Sequence, residues 1–179
     1  MKKFILRKEM FVQRPLNEVF EFFSRPENLE LITPPWLGFR ILTPSPILMK
    51  ERTVVDYTVM LMGMRVRWQS LISEYQPPHR FVDEQLKGPY AFWRHTHTFA
   101  EMDGVTLIAD EVEYGMPFGL LGRVIRKVMV PRQLEAIFHY RAGVIEQLFG
   151  TDEFLGDQLS SSLNIDLQGV RFKDFGVQQ

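Results

Sequence analysis

His95 and His97 stand at alternate positions of the segment FWRHTHTF, and Asp110 follows in TLIADEVEY. An imidazole beside a carboxylate can move protons near neutral pH, because the carboxylate orients the ring and favours its charged form. Burial works in the opposite direction. Alternate residues of a strand share one face, about 7 Å apart along it, so the two imidazoles can act together. With Asp110, and with Asp83 upstream, they would form a two-histidine and carboxylate set of the kind that holds zinc or ferrous iron. That spacing has none of the specificity of a cysteine or HExxH motif. The expectation is therefore no metal and no cofactor. A histidine that ties Asp110 into the sheet for structural reasons fits His97 and Asp110 as well as a proton-transfer pair does.

The element that must position these groups is a hairpin. Asp103-Gly104 is a type I′ turn signal, since glycine accepts positive φ without steric cost. If Met102 and Val105 flank the turn, Phe99 faces Ile108, His97 faces Asp110, His95 faces Val112 and Trp93 faces Tyr114. The period of two puts these eight side chains on one face. The other face pairs Arg94 with Glu113 and Thr96 with Glu111, as a solvated, cross-strand-paired surface.

A second hairpin, 53–75, repeats the pattern. With a type II′ turn at Gly63-Met64, Leu61 aligns with Val66, Val59 with Trp68, Tyr57 with Ser70 and Val55 with Ile72. A strand at 81–86 is expected to turn Phe81, Asp83 and Gln85 inward, with a longer turn or bulge at 87–90. Residues 3–13 alternate as a first strand, with Phe4, Leu6, Met10 and Val12 on one side. A helix starts near Pro15 and carries Leu16, Val19, Phe20 and Phe23 at helical spacing. Ser24 with Glu27 has the spacing of a capping box for a second short helix, 26–32. Residues 36–42 read as a strand. Residues 119–149 read as one long helix, kinked or restarted at Pro131, with Leu134, Phe138, Ile145 and Leu148 on its stripe and Gly150 as C-cap. The tail from 151 is polar; 164–172 reads as an added strand or a mobile segment.

The bulk numbers exclude several classes. The chain has 179 residues, 45% of them hydrophobic, which fits one globular domain. Twenty-one basic residues against 22 acidic ones leave a net charge of −1, so no footprint for nucleic acid is expected. There is no cysteine, which removes disulfides and thiolate chemistry. Charges interrupt the first apolar run, so no signal peptide is read and a cytoplasmic location is expected. No apolar run approaches the length of a membrane span. A homodimer is compatible with this composition.

The order of elements is a strand, two short helices, six strands and a long helix. An antiparallel sheet of seven strands has to bury its apolar face, and the long helix is the one element large enough to cover it. The class is α+β. This order resembles the helix-grip fold of the SRPBCC superfamily, which includes START lipid-transfer domains, birch-pollen-allergen-like proteins and polyketide cyclases/aromatases. The segments ENLELITPPWLGF, RWQSLISEYQPPHRFVDEQLKGPYAFWRHTHTF and DEVEYGMPFGLLG look like a bacterial cyclase/dehydrase-like branch of it. The resemblance covers residues 1–150 and leaves 151–179 as a separate tail. It implies a curved sheet wrapped around the helix, with a cavity between them.

Tyr57, Trp68, Ser70, Asp83, Gln85, Trp93, His95, Phe99, Val112, Tyr114 and Phe138 are the expected cavity residues. Aromatic walls with a few convergent polar groups describe a small-molecule site. One reading is a module that binds a hydrophobic or aromatic molecule, lipid-like or polyketide-like, without stable membrane insertion. The alternative is a cyclase/dehydratase-type enzyme in which His97 and Asp110 move protons. A protein whose cavity is vestigial is a third reading. The basic cluster Arg123, Arg126, Lys127 and Arg132 reads as a snorkelling helix face or a membrane-surface face. PFGLLG reads as a lid with glycine joints.

Overall fold

The computed structural model describes residues 3–116, 130–150 and 175–178. Its strands are β1 (Phe4–Val12), β2 (Arg40–Ile41), β3 (Val54–Leu61), β4 (Met64–Gln76), β5 (Arg80–Lys87), β6 (Phe92–Met102), β7 (Val105–Gly115) and β8 (Phe175–Gln178). Helix α1 spans Leu16–Phe23 and α2 spans Val130–Phe149. The strands form one sheet in the order β2-β3-β4-β5-β6-β7-β1-β8, and every neighbouring pair is antiparallel. The seven expected strands and the covering helix make the α+β helix-grip arrangement. The eighth strand, β8, pairs with β1 at the sheet edge.

The β6–β7 hairpin has the expected register from Met102↔Val105 to Trp93↔Tyr114, with His97 opposite Asp110. Asp103 and Gly104 both have positive φ, 52° and 80°, as a type I′ turn requires. The β3–β4 hairpin differs from expectation. Its turn residues are Met62 and Gly63, with φ of 52° and 78°, so this turn is also type I′ rather than II′. Tyr57 therefore pairs with Trp68 and Val55 with Ser70, two residues away from the expected register. A shift of two preserves side-chain parity, so the inward face of both strands is unchanged.

The start of the chain shows further corrections. The second short helix is a 3₁₀ turn, Pro26–Glu30, with no side-chain cap. The expected capping box does not form. Ser24 bonds back to the Glu21 carbonyl, and the Glu27 carboxylate accepts from Ser45 Oγ and the Ile47 N–H, each at 2.8 Å. The expected strand at 36–42 shrinks to Arg40–Ile41, because Pro35–Leu37 forms another 3₁₀ turn ending in left-handed Gly38. On the outer face, Arg94 lies opposite Glu113 in the ladder, but its guanidinium pairs with Glu74 at 2.6 Å and Glu84 at 3.5 Å.

The core lies between the inner face of the sheet and the helices, in two clusters. One joins Phe20 and Phe23 of α1 to Phe81, Phe99 and Ile108 of the sheet and to Ile145 of α2. The other joins Phe4, Leu6, Val112 and Tyr114 to Leu134 and Phe138 of α2. Helix α2 therefore spans both, and Gly150 ends it in the left-handed conformation with its N–H on the Glu146 carbonyl. Leu148, expected on the buried stripe, is exposed, and Phe149 is buried instead. Residues 119–129, the PFGLLG lid and most of the basic cluster, together with 164–172, lie outside the described residues.

Candidate functional site

Between the two clusters the helix and sheet do not close on each other. They leave a cavity of about 180 Å³, room for roughly six water molecules or a small ring system. The walls are aromatic. Tyr57 of β3 stacks on Trp68 of β4, and Trp68 meets Trp93 of β6 edge to face. Phe39 and Phe138 extend the wall. Bulky rings at every second position of twisted strands project inward and hold the helix away from the sheet, which is how period-two patterning creates space here.

Asp83 on β5 and His95 and His97 on β6 form a polar floor, faced by Arg141 from α2 and backed by Asp110 on β7. His95 Nε2 lies 2.9 Å from Asp110 Oδ1 in an aligned hydrogen bond. His97 Nδ1 approaches the same oxygen at 2.8 Å, but as an ion-pair contact without hydrogen-bond alignment. The aligned bond of His97 runs from Nε2 to Asp83 Oδ2, at 3.3 Å. The expected cross-strand pair of His97 with Asp110 is thus a register pair, while the directed bonds run diagonally. The two imidazoles lie 3.8 Å apart, and His97 also stacks on Phe81 at 4.2 Å.

The two histidines are pushed in opposite directions. For His97, burial is the largest single influence and lowers its pKa, but the attractions of Asp110 and Asp83 together outweigh it and the net shift is upward. For His95, burial and the neighbouring His97 prevail and the net shift is downward. Burial would raise the Asp110 carboxyl, yet its contacts with both imidazoles hold it well below the usual carboxylate range. The charged form is thus favoured at His97 and disfavoured at His95, and Asp110 is held ionised between them. Tyr57 is pushed up, chiefly by burial, and stays a neutral phenol sharing a 3.1 Å hydrogen bond with Ser70 Oγ.

Nitrogen and oxygen atoms of Asp83, His95 and His97 lie within 4.8 Å of one another, so the donor types suit a divalent cation. The Arg141 cation beside them, and the use of the same atoms in the Asp–His contacts, oppose one.

Of the expected cavity residues, Tyr57, Trp68, Ser70, Asp83, Trp93, His95, Val112 and Phe138 line it, with His97. Asp110 lies directly behind the histidines. Three do not line it. Gln85 uses its amide on the Tyr90 backbone, donating to the carbonyl at 2.8 Å and accepting from the N–H at 3.2 Å. It thereby pins the β5–β6 loop and brings Tyr90 to the wall. Phe99 is packed against Phe20 and Phe23, each at 5.4 Å. Tyr114 is buried in the second cluster, stacked on Phe4.

Sequence reasoning missed Arg141, Tyr90 and Lys8. Arg141 falls on the same helical stripe as Leu134, Phe138 and Ile145, a charged residue at an apolar position, which is a legible signal. Lys8 likewise holds an inward position of β1, opposite Asp110 in the ladder. It is buried, which lowers its pKa, while Glu135 on α2 acts to raise it. Tyr90 lies in a loop, where no periodicity could have marked it.

The sequence profile of a family described as polyketide cyclase / dehydrase and lipid transport matches residues 12–138. Solved structures share the fold at low identity. The protein TTHA0849 from Thermus thermophilus is 18% identical, with 80% of this chain and 94% of that one covered and a TM-score of 0.59. The Zhui aromatase/cyclase from Streptomyces sp. R1128 is 13% identical, with 82% and 96% covered and a TM-score of 0.60. Ginseng major latex-like protein 151 from Panax ginseng is 12% identical, with 82% and 97% covered and a TM-score of 0.61. Among curated proteins, none matches the sequence. No helix among the described residues is long and apolar enough to cross a membrane.

Proposed function

The chain belongs to the polyketide cyclase / dehydrase and lipid transport family, and on that premise we propose that it encloses a hydrophobic or aromatic small molecule between the sheet and α2. The observation that carries this reading is the cavity itself, with aromatic walls and polar groups gathered on one floor. Apolar surface supplies affinity, and the few polar groups set orientation. Trp68 and Trp93 form the main contact surface, Tyr57 and Ser70 offer hydroxyls, and Phe138 closes the helix side. A cytoplasmic carrier with no nucleic-acid partner fits the near-neutral charge.

Native mass spectrometry of freshly isolated protein, followed by titration with a neutral naphthylamine fluorophore, tests this reading. A bound apolar molecule, or saturable probe uptake weakened at least about tenfold by Trp68→Ala, is the expected result. A protein that isolates empty and takes up no probe overturns it.

A second reading rests on one specific observation, two imidazoles 3.8 Å apart that share Asp110 Oδ1, with their pKa values shifted in opposite directions. Paired titratable groups pushed apart can serve as acid and base at one pH. In a cyclase/dehydratase-type reaction, His97 with Asp110 behind it would donate a proton to a carbonyl oxygen. Neutral His95 would accept one from the adjacent carbon. Loss of turnover in His97→Gln with probe binding retained would favour this reading over a carrier.

A further inference from the structure

Arg141 is the one charged side chain that α2 sends into the cavity among the described residues. It is 9% exposed, and its Nε and Nη1 have no hydrogen-bond partner among the described residues. Its guanidinium carbon sits 5.1 Å from the centre of the Phe138 ring. Asp83 and Asp110 attract it, but no carboxylate lies within ion-pair distance of it among the described residues, and both aspartates are engaged by the histidines. A buried guanidinium remains charged, and idle N–H donors in a water-poor site are costly unless something accepts from them. Glutamine, methionine or leucine would fill the same helix position without that cost.

We propose that Arg141 is a specificity-determining residue that binds the carboxylate of a small aromatic or alicyclic acid, whose apolar body lies against Trp68, Trp93 and Tyr57. A guanidinium matches a planar carboxylate through paired N–H donors, with strong charge-assisted bonds. Trp68 Nε1, also buried without a partner among the described residues, supplies another donor in the same cavity. The cavity of about 180 Å³ suits a compact ring acid. This assignment rests on the ligand-binding reading above.

The test is calorimetric titration of the full chain with naphthoate and with naphthamide, its uncharged isostere. Wild-type protein should prefer naphthoate by about tenfold or more. Arg141→Met should abolish that preference while still binding naphthamide, and Arg141→Lys should restore part of it. Thermal unfolding supplies an independent readout. A guanidinium kept for a ligand predicts that Arg141→Met melts at the wild-type temperature or above, whereas a purely structural ion partner of Asp83 and Asp110 predicts a lower melting temperature. Equal binding of both probes by wild type, or a preference that survives Arg141→Met, overturns this inference and leaves the ligand-binding reading standing. If neither probe binds while the naphthylamine fluorophore does, this inference alone falls; if the protein also isolates empty and takes up no fluorophore, both fall.

Discussion

Two stretches of the same sheet face, only two residues apart on β6, end in opposite states. At Phe99 the face is filled: Phe20 and Phe23 of α1, Phe81 and Ile108 pack against it. At His95 and His97 the face stays open and polar beneath α2. The strands are the same and the side-chain parity is the same. The difference lies in what covers them. Helix α1 brings compact aromatic rings that interlock edge to face with the strand aromatics. Helix α2 brings Phe138 and Arg141, and the wall of Trp68 and Trp93 keeps it from settling further. A cavity in this fold thus comes from the pairing of helix and sheet residues, beside a β4–β5 ladder whose register shifts at Gln69/Ser70 and Ile72/Glu74.

The contrast can be broken most severely from the filled side. Phe99→Ala should cost about 3–5 kcal/mol of stability, read by chemical denaturation, because interlocked rings around it cannot collapse into the gap. Naphthylamine binding by the folded fraction should survive. If instead the probe site is lost and stability holds, the two regions have been assigned the wrong way round.

On the open side, Asp110→Asn should cost on the order of 3 kcal/mol, as expected when a buried ion pair loses one partner. The pH dependence follows from the direction of each shift. His97, raised in the folded state, contributes stability that is complete below the unfolded imidazole value of about 6.5 and is lost as pH rises through its higher folded value. Asp110, depressed, contributes above the unfolded carboxyl value of about 3.9 and loses that contribution as pH falls toward its lower folded value. His95, also depressed, resists protonation in the folded protein and so adds to the loss on the acid side below about 6.5. Imidazole titrations followed by NMR should give His97 a midpoint above His95, and Asp110→Asn should lower the His97 midpoint. Two coincident midpoints near the ordinary value would remove the distinction between the rings.

The smallest effect is the sharpest comparison. Ile108 and Val112 are both buried on β7, one in the filled cluster and the other at the cavity. Ile108→Phe should cost about 1–3 kcal/mol through overpacking. Val112→Phe should cost about 1 kcal/mol or less, because its ring has space to enter, and it should weaken naphthylamine binding. Equal penalties would mean that the space beside Val112 closes up in solution.

Much of the fold was legible because its signals are local. A two-residue turn at Asp103-Gly104 sets an entire ladder, so the pairing of His97 with Asp110 followed from one dipeptide. The turn at Gly63 was ambiguous, since glycine suits either the first position of a type II′ turn or the second of a type I′ turn. The resulting two-residue shift nevertheless kept Tyr57, Trp68 and Ser70 on the correct side. Gln85 has the right parity too, but an amide within reach of the Tyr90 backbone satisfies that loop instead of facing the cavity.

What the sequence determined by itself was the inward face of each strand and the presence on it of two histidines and two aspartates, since turn chemistry and a period of two act over a few residues. What only the tertiary structure decided was which imidazole holds which carboxylate, whether an aromatic position became core or wall, and that Arg141 would arrive over Asp83 and Asp110. Those outcomes depend on how α1 and α2 dock on the sheet, and docking is set by the summed fit of side chains far apart in the chain, which no local pattern records.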